Sequence, residues 1–272
     1  MPVLPTPRSN SALFGLLLLV VGCASAHALT LDWNTAPWAN GSLSNSFDVD
    51  PATTGNDVTV TVSGDTAQLG AESTFQQTPA ITTNLQGGLP SPEKTLTLLC
   101  DLSSNTQSVT VTVNFSAQYT EGVNNVSFSI FDVDYANVNG ASGAKFTDEI
   151  RSVIGIAPDG SQVAATITAS PDNQKSGTGL TQVVDGIATT VDTGPGSGNA
   201  NVTISFGSTA ITSFSFVYGS GASAPSDPTA QHIGIDNISF TPVPELNPAW
   251  VAALSCLAAG YLIHRHNVRF RK

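Results

Sequence analysis

The chain has 272 residues, of which 11% are charged, and its formal net charge is −11 at pH 7. This length fits one large all-β domain with terminal segments, or at most two small domains. The span 29–241 contains only four Lys or Arg beside nineteen acidic residues. Because binding of nucleic-acid phosphates depends on cationic side chains, this charge argues against nucleic acid as a partner.

Residues 1–28 have the pattern of a secretory signal peptide. Arg8 supplies the positive charge, residues 13–21 form a short apolar core, and A-H-A at 26–28 is a cleavage site of the A-x-A type. The apolar core is too short to span a bilayer. The pattern therefore predicts export of the chain and removal of residues 1–28.

The three cysteines give two further expectations. Cys23 ends the run V-V-G-C, which resembles a bacterial lipobox, so a lipidated Cys23 is an alternative to cleavage after Ala28. Cys256 lies in an apolar terminal segment, which leaves Cys100 as the single cysteine of the body. We expect Cys100 to be a small buried residue, since a reactive thiol needs a nearby base or cation.

Residues 29–241 are predicted to form one antiparallel β-sandwich or jelly-roll domain. Apolar residues alternate with Ser or Thr, which is the period of a half-buried strand, and clusters of Gly, Asn, Asp, Ser and Pro separate the runs. About ten strands fit into two packed sheets. Helical period is weak, with one turn at most near 145–153. The predicted strands are 58–62, 109–113, 126–131, 163–168, 202–206, 211–218 and 233–240.

The sequence Asp132-Val133-Asp134 suggests a calcium site at the end of a strand. Residues i and i+2 of a strand point to the same face, so the two carboxylates are neighbours, and like charges at close range favour a bound cation. Ca²⁺ prefers several oxygen ligands of this kind. The alternative is a pair of solvated acids. The residues that could complete the site are Asp148, Glu149, Asp236 and Asn237.

A second Asp-x-Asp sequence, Asp48-Val49-Asp50, stands directly before Pro51. Asp and Pro in this order are typical of the start of a turn. We therefore interpret this pair as a turn rather than as a second metal site.

No combination of residues in the body predicts an active site, and the chain is not expected to be an enzyme. A serine nucleophile needs a base, but His232 is the single histidine of the body, and Ser220 lies in a Gly-rich loop rather than in a nucleophile elbow. Two carboxyl groups are able to hydrolyse a glycosidic bond. Few aromatic residues are available to stack on sugar rings, however, so a glycan hydrolase is the least favoured function.

Residues 242–272 consist of three parts in a fixed order. A proline-containing linker with Pro244 and Glu245 comes first, and the apolar stretch 249–263, predicted to be a short helix, follows it. This stretch is shorter than the roughly 20 residues that span a bilayer. The basic end favours the cytoplasmic side, with the body outside. The arginines of this end are Arg265, Arg269 and Arg271.

The three-part order resembles the PEP-CTERM sorting signal of exported proteins in Gram-negative bacteria. Pro244 and Glu245 match its Pro-Glu-Pro motif, and Leu246 stands in place of the second proline. The resemblance implies processing by an exosortase-type enzyme, transit of the inner membrane with at least transient attachment to it through the C-terminal helix, and delivery to the cell surface or extracellular matrix. The runs at 131–134 and 233–240 also resemble strands of β-sandwich modules in bacterial surface proteins.

The resemblance implies a function outside the cell. We expect an exported cell-surface or matrix protein with a structural or adhesive role in exopolysaccharide or biofilm. The alternative is a carbohydrate-binding, lectin-like module that acts on extracellular polysaccharide.

Overall fold

The computed structural model describes residues 27–71, 76–137, 144–187 and 196–245, with positions 259, 260 and 266. These residues form seventeen strands and two single 3-10 turns, Thr66–Gln68 and Gly179–Thr181, which confirms the predicted all-β class. The strands are β1 (Leu29–Leu31), β2 (Ser44–Phe47), β3 (Val58–Gly64), β4 (Ala80–Thr82), β5 (Thr95–Cys100), β6 (Ser108–Phe115), β7 (Val123–Phe131), β8 (Tyr135–Asn137), β9 (Ala144–Ile156), β10 (Gln162–Ala164), β11 (Thr166–Ala169), β12 (Asn173–Ser176), β13 (Val183–Gly186), β14 (Val202–Ser205), β15 (Ser213–Ser220), β16 (Gln231–Ile235) and β17 (Ile238–Pro242).

The first sheet has eight antiparallel strands arranged around β7. β14 and then β11 lie on one side of β7. On the other side, β16 and β17 pair with successive stretches of β7, so that Gly234 lies opposite Phe131 and Ser239 opposite Ser127. β5 and β4 extend the sheet beyond β16, and β1 lies beyond β17.

The second sheet has nine antiparallel strands, and its main path runs β12-β13-β9-β15-β6-β3-β2. β9 is 13 residues long and pairs with β8, β10, β13 and β15. This long strand therefore holds one half of the sheet together.

The core lies between the two sheets. Along β6, Val109, Val111 and Val113 are buried, while the Thr residues between them face outward and are half-buried. Aromatic rings join the sheets, because Phe128 of the first sheet stacks on Phe214 of the second with ring centroids 4.8 Å apart. Burial of each such ring contributes about 1.5–3 kcal/mol. The two sheets share one core, in the manner of a β-sandwich.

The structure corrects three of the predicted elements. The predicted strand 163–168 is two strands in different sheets, since β10 pairs with β9 and β11 with β14. The predicted strand 233–240 is interrupted at 236–237, between β16 and β17. The stretch 145–153 lies inside β9 rather than in a helical turn. Periodicity could not reveal that 163–168 is two strands, because inward and outward residues continue to alternate where the chain crosses from one sheet to the other.

The predicted apolar core of the signal peptide at 13–21 and the predicted helix at 249–263 fall outside the described residues, apart from positions 259 and 260. Among the residues that are described, no helix is long and apolar enough to span a bilayer.

The first and last of the described strands are direct neighbours. Leu29 of β1 lies opposite Phe240 of β17, and Leu31 lies opposite Ile238. All four side chains are buried in the core. The two ends of the folded body therefore meet at one edge of the first sheet.

Candidate functional site

Three of the predicted calcium ligands, Asp132, Asp134 and Asp148, lie together where β7 ends. Asp148 is buried in β9, where its Oδ2 accepts the backbone N–H of Asp134 at 3.1 Å and its Oδ1 accepts the hydroxyl of Tyr218 at 2.8 Å. Asp132 follows β7 with a φ of 66° and pairs with His232, whose Nε2 lies 2.9 Å from its Oδ2. All three carboxyl groups belong to buried residues. We call Asp132, Asp134 and Asp148 the strand-end cluster.

Burial dominates the electrostatics of the strand-end cluster. It raises the pKa of Asp148 well above its usual value, and the charges of Asp134 and Asp132 add to this effect, while the hydrogen bonds from Asp134 and Tyr218 oppose it. Burial also raises the pKa of Cys100 to about 12, with a contribution from the charge of Asp148. Cys100 is fully buried, as predicted.

Asp236, which was also predicted to bind calcium, belongs to a different group of acids. Burial raises its pKa, and the neighbouring charges that contribute are those of Glu93 and Asp32. Glu93 Oε1 accepts hydrogen bonds from Asn34 Nδ2 at 2.9 Å and from Asn237 Nδ2 at 3.0 Å. We call Asp32, Glu93 and Asp236 the edge acids, because they lie beside the edge strand β1.

The set of calcium ligands predicted from the sequence is thus divided between two places. Within the parts of the chain that the structure describes, no three Asp, Glu, His or Cys side chains converge on a metal position. In the strand-end cluster, both oxygens of Asp148 accept hydrogen bonds and Asp132 pairs with His232. Calcium binding stays a prediction for Asp132, Asp134 and Asp148.

The pair Asp48 and Asp50 begins a turn, as the sequence predicts. Asp50 Oδ1 accepts the backbone N–H of Ala52 at 2.9 Å. The turn is held by Asp57, a fully buried residue that sequence reasoning did not single out. Burial acts to raise the pKa of Asp57, but its hydrogen bonds outweigh that effect and lower the pKa. The donors are Val49 N, Asp50 N, Thr53 Oγ1 and Tyr119 Oη, at 2.9, 2.8, 2.6 and 3.0 Å.

A carboxyl pair also joins β9 to β13, where Glu149 lies opposite Asp185. Burial, followed by the charge of Glu149 and a hydrogen bond shared with it, raises the pKa of Asp185 to about 6, while Arg151 acts in the opposite direction. Arg151 donates a hydrogen bond to Glu149 Oε1. Glycoside hydrolases hold their two carboxyl groups at least about 5 Å apart to accommodate the sugar. A pair that shares a hydrogen bond does not have that arrangement.

A polar groove of about 420 Å³ crosses the outer face of the first sheet beside the edge acids. Asp236, Glu93 and Asn237 line it, and Leu89, which is 39% exposed, adds an apolar side chain. Hydroxyl side chains from β1, β17, β7 and β14 form its floor. They are Thr30, Ser239, Ser127, Ser129 and Thr203.

The floor is ordered by the register of the sheet. Thr30 lies opposite Ser239, and Ser239 lies opposite Ser127, so three hydroxyl groups form a row across three strands. A second row pairs Ser129 with Thr203. Neighbouring hydroxyls contact one another, at 3.2 Å between Thr30 and Ser239 and at 3.1 Å between Ser129 and Thr203. The groove therefore offers regularly spaced donors and acceptors.

The predicted sorting residues are described only in part. Pro244 and Glu245 are exposed, and Glu245 Oε1 accepts the hydroxyl of Thr120 at 2.8 Å. The backbone N–H of Val243 donates to the carbonyl of Gly122 at 3.0 Å. The linker is thus attached to the turn between β6 and β7. The remaining predicted residues, Arg265, Arg269 and Arg271, lie outside the described residues.

Comparison with protein-family models, with curated proteins and with solved structures finds no match for this chain.

Sequence reasoning missed the groove and two of the three edge acids. Asp32 and Glu93 are far apart in the sequence and carry no motif. The outward Ser and Thr residues of the strands were visible as alternation, but which of them face each other depends on pairings between distant strands. The one signal available was Asp236-Asn237, because a polar pair inside an apolar strand pattern marks an interruption.

Proposed function

We propose that this chain is an exported cell-surface or extracellular-matrix protein with a structural or adhesive role. Its targeting rests on the signal peptide at 1–28 and on the PEP-CTERM-like segment at 242–272, processed by an exosortase-type enzyme. The body between them acts outside the cell, in contact with exopolysaccharide or biofilm.

The placement of the strands is the observation that carries this proposal. Every described strand lies between Leu29 and Pro242. Cleavage after Ala28 removes none of them, and neither does cleavage beyond Glu245. The exposed Pro244 and Glu245 are open to a processing enzyme. The body has the architecture expected of a domain that remains folded after both ends are trimmed.

The surface of the body supports a role in contacts rather than in catalysis. Both outer faces carry rows of Ser and Thr, such as Ser44 opposite Thr61 and Thr61 opposite Thr112 on the second sheet. The carboxyl groups of Asp57, Asp148 and Glu93 accept internal hydrogen bonds. Hydroxyl-rich faces hydrate well and form many weak hydrogen bonds, which suits a matrix component.

The alternative, a carbohydrate-binding module, has one specific observation in its favour, the hydroxyl-lined groove. One feature weighs against a module that stacks sugars on exposed rings. Among the described aromatic residues, only Trp38 and Phe146 are partly exposed, and all the others are buried. Any recognition of sugars in the groove therefore depends on hydrogen bonds and charge.

Cell fractionation with mass spectrometry of the mature protein tests the proposal. The chain should be recovered from the surface or matrix fraction, beginning at Leu29 and ending near Glu245. Replacing Pro244 and Glu245 by Ala should retain residues 249–263 and leave the protein in the inner membrane. Recovery of an unprocessed chain from the cytoplasm would contradict the proposal.

A further inference from the structure

The groove on the first sheet is an open, shallow surface lined mainly by polar side chains, with a volume of about 420 Å³. Such a surface suits an extended ligand laid along it rather than a small molecule enclosed in a pocket. Its lining combines five hydroxyls with an amide, two carboxylates and one exposed leucine. The hydroxyl and amide groups both donate and accept hydrogen bonds, which matches the alternating hydroxyl groups of a sugar.

The hydroxyl rows continue beyond the groove. Ser127 lies opposite Ser205, and Ser205 lies opposite Thr166, so the first row extends across β14 and β11. The second row continues from Thr203 to Thr168. With strands about 4.8 Å apart, five strands give a row of about 19 Å. An extended oligosaccharide laid across the strands would contact a hydroxyl at each one.

The edge acids decide the charge of the ligand. No cationic side chain of the described residues lies within 4 Å of Asp32, Glu93 or Asp236, so their negative charge is uncompensated by an ion pair. The body as a whole is strongly acidic. Anionic polysaccharides are repelled by such a groove, whereas an ammonium group beside its two carboxylates forms charged hydrogen bonds.

We propose that this groove binds a glycan of amino sugars with free amino groups, whose hydroxyls lie along the rows and whose ammonium group lies against Asp236 and Glu93. The inference rests on the proposed function only for access to extracellular glycans. Leu89 then contacts the apolar face of a sugar ring.

Titration calorimetry of the purified chain with a glucosamine hexamer tests the proposal. The N-acetylated hexamer should bind at least about tenfold more weakly, since loss of one charged hydrogen bond removes about that much affinity. A galacturonate hexamer should not bind. Equal binding of all three sugars, or binding of none, overturns the proposal.

Variants separate the two parts of the site. Asp236→Asn should abolish the preference for the free amine, while the exposed Asp227→Asn, which removes the same charge outside the groove, should leave it unchanged. Thr203→Val removes a hydroxyl while keeping the shape of the side chain. It should weaken the binding of the glucosamine hexamer and of the N-acetylated hexamer to the same extent. If oligolysine binds as tightly as the glucosamine hexamer and responds in the same way, the groove is only an acidic patch and the proposal fails.

Failure here is distinguishable from failure of the proposed function. A chain that binds no amino glycan but is found processed at the cell surface overturns only the groove assignment. A chain that binds the glucosamine hexamer but stays unprocessed in the cytoplasm overturns the function.

Discussion

Replacement of Asp57 by Ala should strongly destabilise the body. The Asp57 carboxylate accepts four hydrogen bonds and is fully buried. At about 1 kcal/mol for each buried hydrogen bond, the loss is about 4 kcal/mol. For a domain of this size, that loss lowers the melting temperature by about 8–16 °C. Urea unfolding followed by circular dichroism measures the free energy directly.

The Asn variant sharpens this prediction. In Asp57→Asn the amide oxygen is able to accept from Val49 and Asp50, while the NH₂ group donates to the hydroxyls of Thr53 and Tyr119, so the loss should be only about 1–2 kcal/mol. As a control, the substitution Asp227→Asn at an exposed position should change the free energy of unfolding by less than about 0.5 kcal/mol.

The pH dependence of stability gives an independent check. The pKa of Asp57 is lowered in the folded chain. Its contribution is therefore present above the unfolded value of about 3.9 and is lost as pH falls through the lower folded value. The stability difference between the native chain and Asp57→Asn should shrink below about pH 4. A loss of under about 1 kcal/mol in Asp57→Ala, or an Asn variant as unstable as the Ala variant, would refute the reasoning.

Three further predictions follow from other sites. Phe214→Ala should cost about 3–5 kcal/mol of unfolding free energy, because the ring joins the two sheets, whereas Leu180→Ala at an exposed position should change it by less than about 0.5 kcal/mol. The pKa of Asp185 is raised to about 6, so its ionisation destabilises the fold increasingly as the pH rises from about 4 to 6. Asp185→Asn should therefore flatten the plot of unfolding free energy against pH in this range. An unchanged slope would contradict a hydrogen bond shared between Asp185 and Glu149. If the strand-end cluster binds calcium, Ca²⁺ should raise the melting temperature by mass action. Asp134→Asn should remove that rise and Asp236→Asn should keep it, and the opposite pattern would place the site at the edge acids.

The fold class was predictable from the sequence because apolar and polar residues alternate along the longer strands. β3 and β6 show buried Val at every second position, and both were located within a few residues. β5 was missed although Thr and Leu alternate over residues 95–98, and all six of its residues, the Thr included, are buried. Strands of three or four residues, such as β1 and β12, are too short to establish any period.

The candidate sites were predictable only where their residues are close in sequence. Asp132 and Asp134 lie close together in the sequence, but they follow β7 instead of belonging to it, and the φ of 66° at Asp132 is not that of a strand. Strand geometry therefore does not explain their placement, although the sequence correctly suggested that Asp148 lies near them. Asp236 was assigned to the wrong neighbours, since its true ones, Glu93 and Asp32, are brought to it by β5 and β1. No local pattern encodes that pairing.

The contact between β1 and β17 has a consequence for how the chain acquires its structure. Thr30 and Ser239, which touch through their hydroxyls, are 209 positions apart. Closing such a distant pair is slow, and it requires the last strand to be present. Under the proposed function, in which the chain crosses a membrane N-terminus first, this edge is unable to close until residue 242 has emerged. Completion of the body and arrival of the proposed sorting segment at the membrane would then coincide, so that the processing enzyme would meet its motif on a folded domain.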